Sequence, residues 1–77
     1  MDEIYVNVRR NIAYVRERRS YSQSQLARAL QIPQSTYAGY ESGIRKFPLG
    51  LIKRIAVFFG VTIDCLCDDK APYIDGD

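Results

Sequence analysis

Apolar residues recur every three or four positions at the start of the chain, with arginines between them. Ile4, Val8, Ile12 and Val15 follow this spacing, which is that of one face of a helix. The pattern predicts an amphipathic first helix that ends near Arg19 and buries one apolar stripe.

Capping residues mark a second helix. Ser22 is a favourable N-cap, and Gln25 three positions later completes a capping box. The helix is predicted from Gln23 to about Leu30. Its predicted buried residues are Leu26, Ala27 and Leu30.

A proline and a glycine bracket a third helix. Pro33 has no N–H and fits the start of a helix, where that N–H would have no partner. Gly43 suits the position just past a helix end. The third helix is therefore predicted from about Gln34 to Glu41 or Ser42.

The second half of the chain contains the same kinds of helix start and end signals. A basic loop, Ile44 to Phe47, precedes a fourth helix that Pro48 opens and Gly60 ends. Thr62 caps a short fifth helix, Ile63 to about Cys67. The inward residues predicted for the fourth helix are Ile52, Ile55, Ala56 and Phe59. Together the pattern predicts an all-α fold, a compact five-helix bundle. It forms one domain over residues 1–77, packed over about 4–67, with an acidic tail at 68–77.

Composition narrows the class of protein. A domain of 77 residues buries only about 60% of its unfolded surface, so dimerisation is a common source of extra stability. No run of about 18 apolar residues is present, and the acidic first residues do not resemble a signal peptide. A cytoplasmic protein without a membrane span is expected.

The chain offers little material for metal or redox chemistry. It contains no histidine, and Cys65 and Cys67 are too close in sequence for an unstrained disulfide. Free thiols are expected, with one of the two facing the core, and no metal or cofactor is expected. Without histidine or a glycine-rich phosphate loop, an enzyme is not predicted either.

Charge is unevenly distributed along the chain. Residues 4–67 hold ten basic and three acidic residues, a net charge of +7, whereas the first three residues contribute −2 and the tail −3. A basic body suits a polyanionic partner, although a solvated basic surface has the same pattern.

The second and third helices form a pair joined by about three residues, which is typical of a helix-turn-helix. Ala27 is small where the two helices are expected to touch, and Ile32 in the turn is expected to point into the core. Tyr37 and Tyr40 are expected to face inward from the third helix.

The outward face of the third helix is small and polar. Its predicted residues are Gln34, Ser35, Thr36, Ala38 and Gly39. Gln34 can donate and accept at once, which suits the major-groove edge of adenine. Gly39 is a weak helix former, which indicates close approach of another molecule. A merely solvent-facing helix is the alternative.

The stretch SYSQSQLARALQIPQSTYAGYESGIRKFP resembles the Cro/CI-type (XRE) helix-turn-helix family of phage and bacterial regulators. The ending FFGVTIDCLC is similar to the fourth and fifth helices of that family, so the resemblance covers residues 8–67. It implies a lambda-repressor-like DNA-binding domain.

The resemblance also implies roles for individual residues. The base-reading positions are Gln34, Ser35, Thr36 and Gly39. The DNA-backbone positions are Gln23, Ser24, Ser42, Arg45 and Lys46, and Gln23 is also expected to brace the recognition residue. Arg16 and Glu41 match a pair that ties the first helix to the third. The structural positions of the motif are Ala27, Ile32, Tyr37 and Tyr40.

Three positions depart from the family pattern. Gln31 stands where the turn usually has glycine, and a left-handed backbone there would cost about 1 kcal/mol or more. Pro48 is displaced by one residue, which leaves open the register of Arg45 and Lys46 on the phosphates. Pro33 replaces a capping serine or threonine, so Gln34 is expected to begin its helix differently.

Two functions from different classes remain. The first is a dimeric, sequence-specific regulator that binds double-stranded DNA. It is expected to act as a repressor by inserting the third helix into the major groove of a two-fold operator. Four apolar residues are candidates for its dimer surface, and ordinary core is the alternative for them: Phe58, Val61, Ile63 and Leu66. The second is a protein-interaction module or an antitoxin with the same fold, which docks a partner through Tyr73 and Ile74 of the acidic tail.

Overall fold

The computed structural model describes residues 3–72, and this part of the chain contains five α-helices and no strand. The helices are α1 (Glu3–Arg18), α2 (Gln23–Leu30), α3 (Gln34–Ser42), α4 (Leu49–Phe59) and α5 (Ile63–Cys67). The predicted all-α, five-helix architecture is confirmed. None of these helices is both long and apolar enough to cross a membrane. Tyr73 and Ile74 lie outside the described residues.

Local capping explains where α2 begins and ends. The Ser22 hydroxyl accepts a hydrogen bond from the Gln25 N–H at 3.0 Å, and the Gln25 side chain accepts one from the Ser22 N–H at 2.8 Å. The predicted capping box is confirmed. Gln31 ends the helix in a left-handed conformation, with φ of 61°, which costs a non-glycine residue about 1 kcal/mol or more.

Prolines begin α3 and α4. Pro33 and Pro48 each occupy the N-cap position in extended backbone, and neither has a side chain that caps the helix. The first N–H groups of an α-helix have no partner within the helix. Those of α3 therefore lack a side-chain cap, in contrast to those of α2.

The core draws on all five helices and on one loop residue. Its buried apolar residues are Val8, Ile12, Val15, Leu26, Ala27, Leu30, Tyr37, Phe47, Leu51, Ile52, Ile55, Ala56, Phe59 and Leu66. The prediction for Ile4 is wrong, since 60% of this residue is exposed. The buried stripe of α1 begins one turn later, at Val8, and Ile4 borders an open groove between α1, α4 and α5.

A buried asparagine joins α1 to α5. The Asn11 side-chain nitrogen lies 2.9 Å from the Leu66 carbonyl oxygen and 2.7 Å from that of Asp68, and 3.4 Å from that of Cys65. These carbonyls belong to the end of α5, where no further helical turn supplies a donor. Asp68, which the sequence places in the tail, is thus attached to the packed region.

The two cysteines are free and half-buried. Cys67 packs against the core, and burial together with the nearby Asp64 raises the pKa of its thiol. Within residues 3–72, no cluster of three metal-ligating side chains occurs.

Candidate nucleic-acid interface

The inner face of α3 is fixed by aromatic packing. Tyr37 is fully buried, and its ring lies edge-on to that of Phe47 with 6.0 Å between centroids. Tyr40 is half-buried and packs against the same phenylalanine at 5.2 Å. Both tyrosines face inward as predicted. Phe47, which the sequence assigns to a basic loop, serves as the anchor of that loop.

A bidentate ion pair joins α1 to α3. Arg16 Nε lies 2.7 Å from Glu41 Oε2, and the terminal nitrogen Nη2 lies 3.1 Å from Oε1. Only 10% of the Arg16 side chain and 9% of the Glu41 side chain are exposed. A buried, two-point pair of this kind sets the orientation of both helices.

Glu41 also accepts hydrogen bonds from two further side chains. The Tyr37 hydroxyl donates to Oε2 at 2.6 Å, and the Gln23 side-chain nitrogen donates to Oε1 at 2.8 Å. One carboxylate therefore connects α1, α2 and α3. The resemblance leads us to expect Gln23 to brace a recognition residue, but in the structure its side-chain donor is bonded to Glu41.

These contacts change the acidity of the three groups in this cluster. Burial alone would raise the pKa of Glu41, but the hydrogen bonds that it accepts outweigh burial and lower that pKa below its ordinary value. The hydrogen bond to Glu41 raises the pKa of Arg16. Burial, followed by the bond to the carboxylate, raises the pKa of Tyr37 far above its ordinary value.

The lowered pKa of Glu41 predicts a loss of stability in acid. A carboxylate whose pKa is lower in the folded state stabilises the fold above its unfolded value of about 4.3, and the contribution falls as the pH drops through the folded value. We expect the stability advantage of the wild type over Glu41→Gln, measured by urea unfolding, to shrink between about pH 5 and pH 3. Glu17→Gln serves as the control. An unchanged advantage over this range would contradict the prediction.

The outer face of α3 is open to solvent at its start. Gln34 and Ser35 are exposed, while Thr36, Ala38 and Gly39 are half-buried. A Cβ added at Gly39 would meet only the Arg45 stem, at an ordinary 3.9 Å. Contacts within the described chain therefore do not require glycine there.

The two basic residues that follow α3 make different contacts within the fold. The Arg45 N–H donates to the Gly39 carbonyl at 3.1 Å, and its aliphatic stem lies along Gly39. The Lys46 ammonium instead lies 5.0 Å from the centre of the Tyr5 ring in α1. The Ser42 hydroxyl is directed back to the Gly39 carbonyl at 3.2 Å.

Several of the basic residues bind carbonyls elsewhere in the fold. Arg54 donates to the Leu30 carbonyl at the end of α2, and Arg10 donates to that of Asp68. These two guanidinium groups have structural partners, so the net charge of residues 4–67 overstates the number of cations available to a ligand.

The geometry is that of two helices held at a tight turn, with the second one presenting a polar face. A family model described as Helix-turn-helix matches residues 12–64 of the 77, which include all of α2, α3 and α4. The protein is a member of the Cro/CI-type helix-turn-helix family. No curated protein and no solved structure matches the chain significantly.

Membership of this helix-turn-helix family makes the protein a DNA-binding regulator. In the terms of the family, α3 is the recognition helix; α2 packs against it, and Ala27 of α2 is fully buried. Ile32 in the turn is half-buried against the core, as predicted.

The dimer surface expected from the sequence is not a single exposed patch. Leu66 is fully buried in the core, and Val61 and Ile63 are half-buried against it. Only Phe58 is well exposed, at 42%, next to Val57 at 81%. Leu66 is therefore ordinary core, which was the alternative for these residues, because the short α5 packs against α1 and α4.

Proposed function

We propose that this helix-turn-helix protein is a sequence-specific repressor of transcription that inserts α3 into the major groove of a two-fold operator. One observation carries the proposal. The recognition helix is fixed on its inner side by Tyr37 and Glu41, while Gln34 and Ser35 remain exposed on its outer side. A rigid element with exposed polar side chains can read bases without first ordering itself.

The proposed base contacts come from the outer face of α3. Gln34 would pair with adenine through its amide, and Ser35 and Thr36 would meet neighbouring bases. Gly39 would let the groove wall approach the helix closely. These contacts specify sequence, because base edges in the major groove differ from one base pair to another.

The proposed backbone contacts surround that face. The N–H groups at the start of α2 precede the first intrahelical bond and favour a phosphate; Gln23 and Ser24 occupy this end. At the end of α3, Ser42 is the last helical residue, and Arg45 and Lys46 follow in the loop. Such contacts fix the register of the protein on the duplex without reading sequence.

The proposal includes a homodimer. One recognition helix contacts few base pairs, and proteins with this motif bind two half-sites about one helical turn apart. A repressor of this kind acts by occupying its operator. Binding should weaken steeply with salt, because phosphate contacts release counterions.

A protein-interaction module, such as an antitoxin, is the second candidate. It is favoured by Val57 and Phe58, two adjacent apolar residues that α4 leaves exposed. A module that binds only a protein should show no salt-sensitive binding to duplex DNA and should tolerate the loss of Gln34.

Selection of bound duplexes from a random pool tests the proposal, and the expected product is a motif with two-fold symmetry. Gln34→Ala should relax the preference at one position in each half-site, which costs about 1–3 kcal/mol on the wild-type operator. Lys46→Ala should weaken binding to all duplexes alike and lower the salt slope. No enriched motif, or an equal loss of specificity in both variants, would contradict the assignment.

A further inference from the structure

A small concavity lies between the first turns of α1 and the loop that follows α3. Its volume is about 140 Å³, which is room for one tetrahedral oxyanion, and its polar lining comes from Tyr5, Arg9, Tyr40, Arg45 and Lys46. Three of these side chains are cationic and two carry hydroxyl groups. Among the described residues, no aspartate or glutamate lines it.

Arg9 is held at this concavity by close packing against Gly43. A Cβ added at Gly43 would lie 2.9 Å from both Cζ and Nε of Arg9, so the guanidinium would have to move from this position. Gly43 also has a φ of 89°, a conformation that favours glycine. The glycine that ends α3 thus makes room for a guanidinium from α1.

Among the described residues, Arg9 and Arg45 have no carboxylate partner. Within residues 3–72, the salt bridges all involve Arg16 and none includes Arg9 or Arg45. The Arg45 stem runs along Gly39 on the recognition helix, so the concavity directly adjoins the face that is proposed to enter the major groove. A ligand here would lie beside the C-terminal end of α3.

We propose that this concavity binds one backbone phosphate of DNA, with Arg9 of α1 as a ligand beside Arg45 and Lys46. The proposal rests on the proposed function. A guanidinium matches phosphate with two parallel hydrogen bonds, and a phosphate would neutralise cations that the fold brings together. The first helix, which lies outside the helix-turn-helix itself, thereby takes part in binding the DNA strand that flanks the recognition helix.

The salt dependence of duplex binding measures this contact. With the full chain and its selected operator, Arg9→Gln should reduce the slope of log affinity against log salt by about 0.9, the value for one phosphate. The advantage of the wild type should then fall by about 3–4-fold between 50 and 200 mM salt. Lys53→Gln is the matched control, because it removes one exposed charge from α4 outside the concavity; its slope should equal that of the wild type.

Replacing single operator phosphates with neutral methylphosphonates locates the contact. At one position, the loss of affinity caused by the neutral group and the loss caused by Arg9→Gln should not add. The same position should show this non-additivity with Arg45→Gln. If Arg9→Gln does not fold, Arg9→Lys takes its place. This variant keeps the charge and should retain the salt slope. It should still lose affinity, because lysine lacks the planar guanidinium, and this loss should disappear when the contacted phosphate is made neutral.

The outcomes separate this site from the proposed function. If the wild type shows no salt-sensitive binding to duplexes, both proposals fail. If it binds and Arg9→Gln keeps the full slope with no coupled phosphate, only the Arg9 site is overturned. Binding of inorganic phosphate at Arg9, seen by NMR, with unchanged duplex binding in Arg9→Gln would also overturn it, because the site would then serve free anions.

Discussion

Replacing Arg16 with methionine should lower the free energy of unfolding by about 3–5 kcal/mol, as expected when one partner of a buried ion pair is removed. The Glu41 carboxylate would remain buried with only Tyr37 and Gln23 as donors. Typical stabilities of about 0.05–0.15 kcal/mol per residue correspond to about 4–12 kcal/mol for a chain of 77 residues. The substitution should therefore remove a large part of the stability, measured by urea unfolding at pH 7.

Two further variants test the reason for this loss. Glu17→Gln removes the exposed partner of Arg16, at 3.6 Å with 69% of its side chain exposed, and should change stability by less than about 1 kcal/mol. The double variant Arg16→Met/Glu41→Leu should recover part of the loss, because it leaves no unpaired charge. A double variant as unstable as the sum of its single changes would contradict this explanation.

Replacing Asn11 with leucine should lower the free energy of unfolding by about 2–3 kcal/mol, although the two side chains are similar in size. The Leu66 carbonyl would lose its side-chain donor, whereas the carbonyls of Asp68 and Cys65 would keep Arg10 and the Asp68 N–H. An unsatisfied buried acceptor costs about 1–3 kcal/mol. The Leu66 carbonyl is the most affected, since its bond to Asn11 is buried. Urea unfolding measures the loss, and amide exchange in α5 should accelerate.

Asn7→Leu is the matched control on the same helix. The Asn7 amide donates a single bond to the Cys67 carbonyl at 3.2 Å, in a partly exposed position. Water can replace this bond, so the loss should be no more than about 1 kcal/mol. Equal losses of stability in the two variants would contradict this explanation, because the number and burial of the hydrogen bonds made by Asn11 would then not determine its contribution to the free energy of unfolding.

The helix boundaries were accessible from the sequence because their causes are local. Ser22 and Gln25 cap α2 through atoms three residues apart, and Gly43 and Gly60 adopt the positive φ that ends α3 and α4. Such signals depend on neighbouring residues alone. The pairing of Arg16 with Glu41, 25 residues apart, followed from the family resemblance instead.

Other features depend on how the helices pack, which no local pattern records. In the sequence, Asn11 is only a polar residue next to an apolar stripe. Its hydrogen bonds form because α5 packs against α1. Phe47 lies between a lysine and a proline in a basic stretch, yet it anchors the loop under α3. Ile4 fits the helical period, but the core ends at Val8. The position of Arg9 beside Gly43, on which its proposed phosphate contact depends, is set by the packing of α1 against the end of α3.

The two faces of α3 differ in how well they should tolerate substitution. The Gln34 and Ser35 side chains are exposed and form no hydrogen bond within residues 3–72, whereas Tyr37 and Glu41 join the helix to the rest of the molecule. Exposed positions without partners tolerate substitution with little loss of stability. If the outer residues read DNA as proposed, exchanging them would change the sequence preference at little cost in stability, whereas exchanging Tyr37 or Glu41 would destabilise the fold.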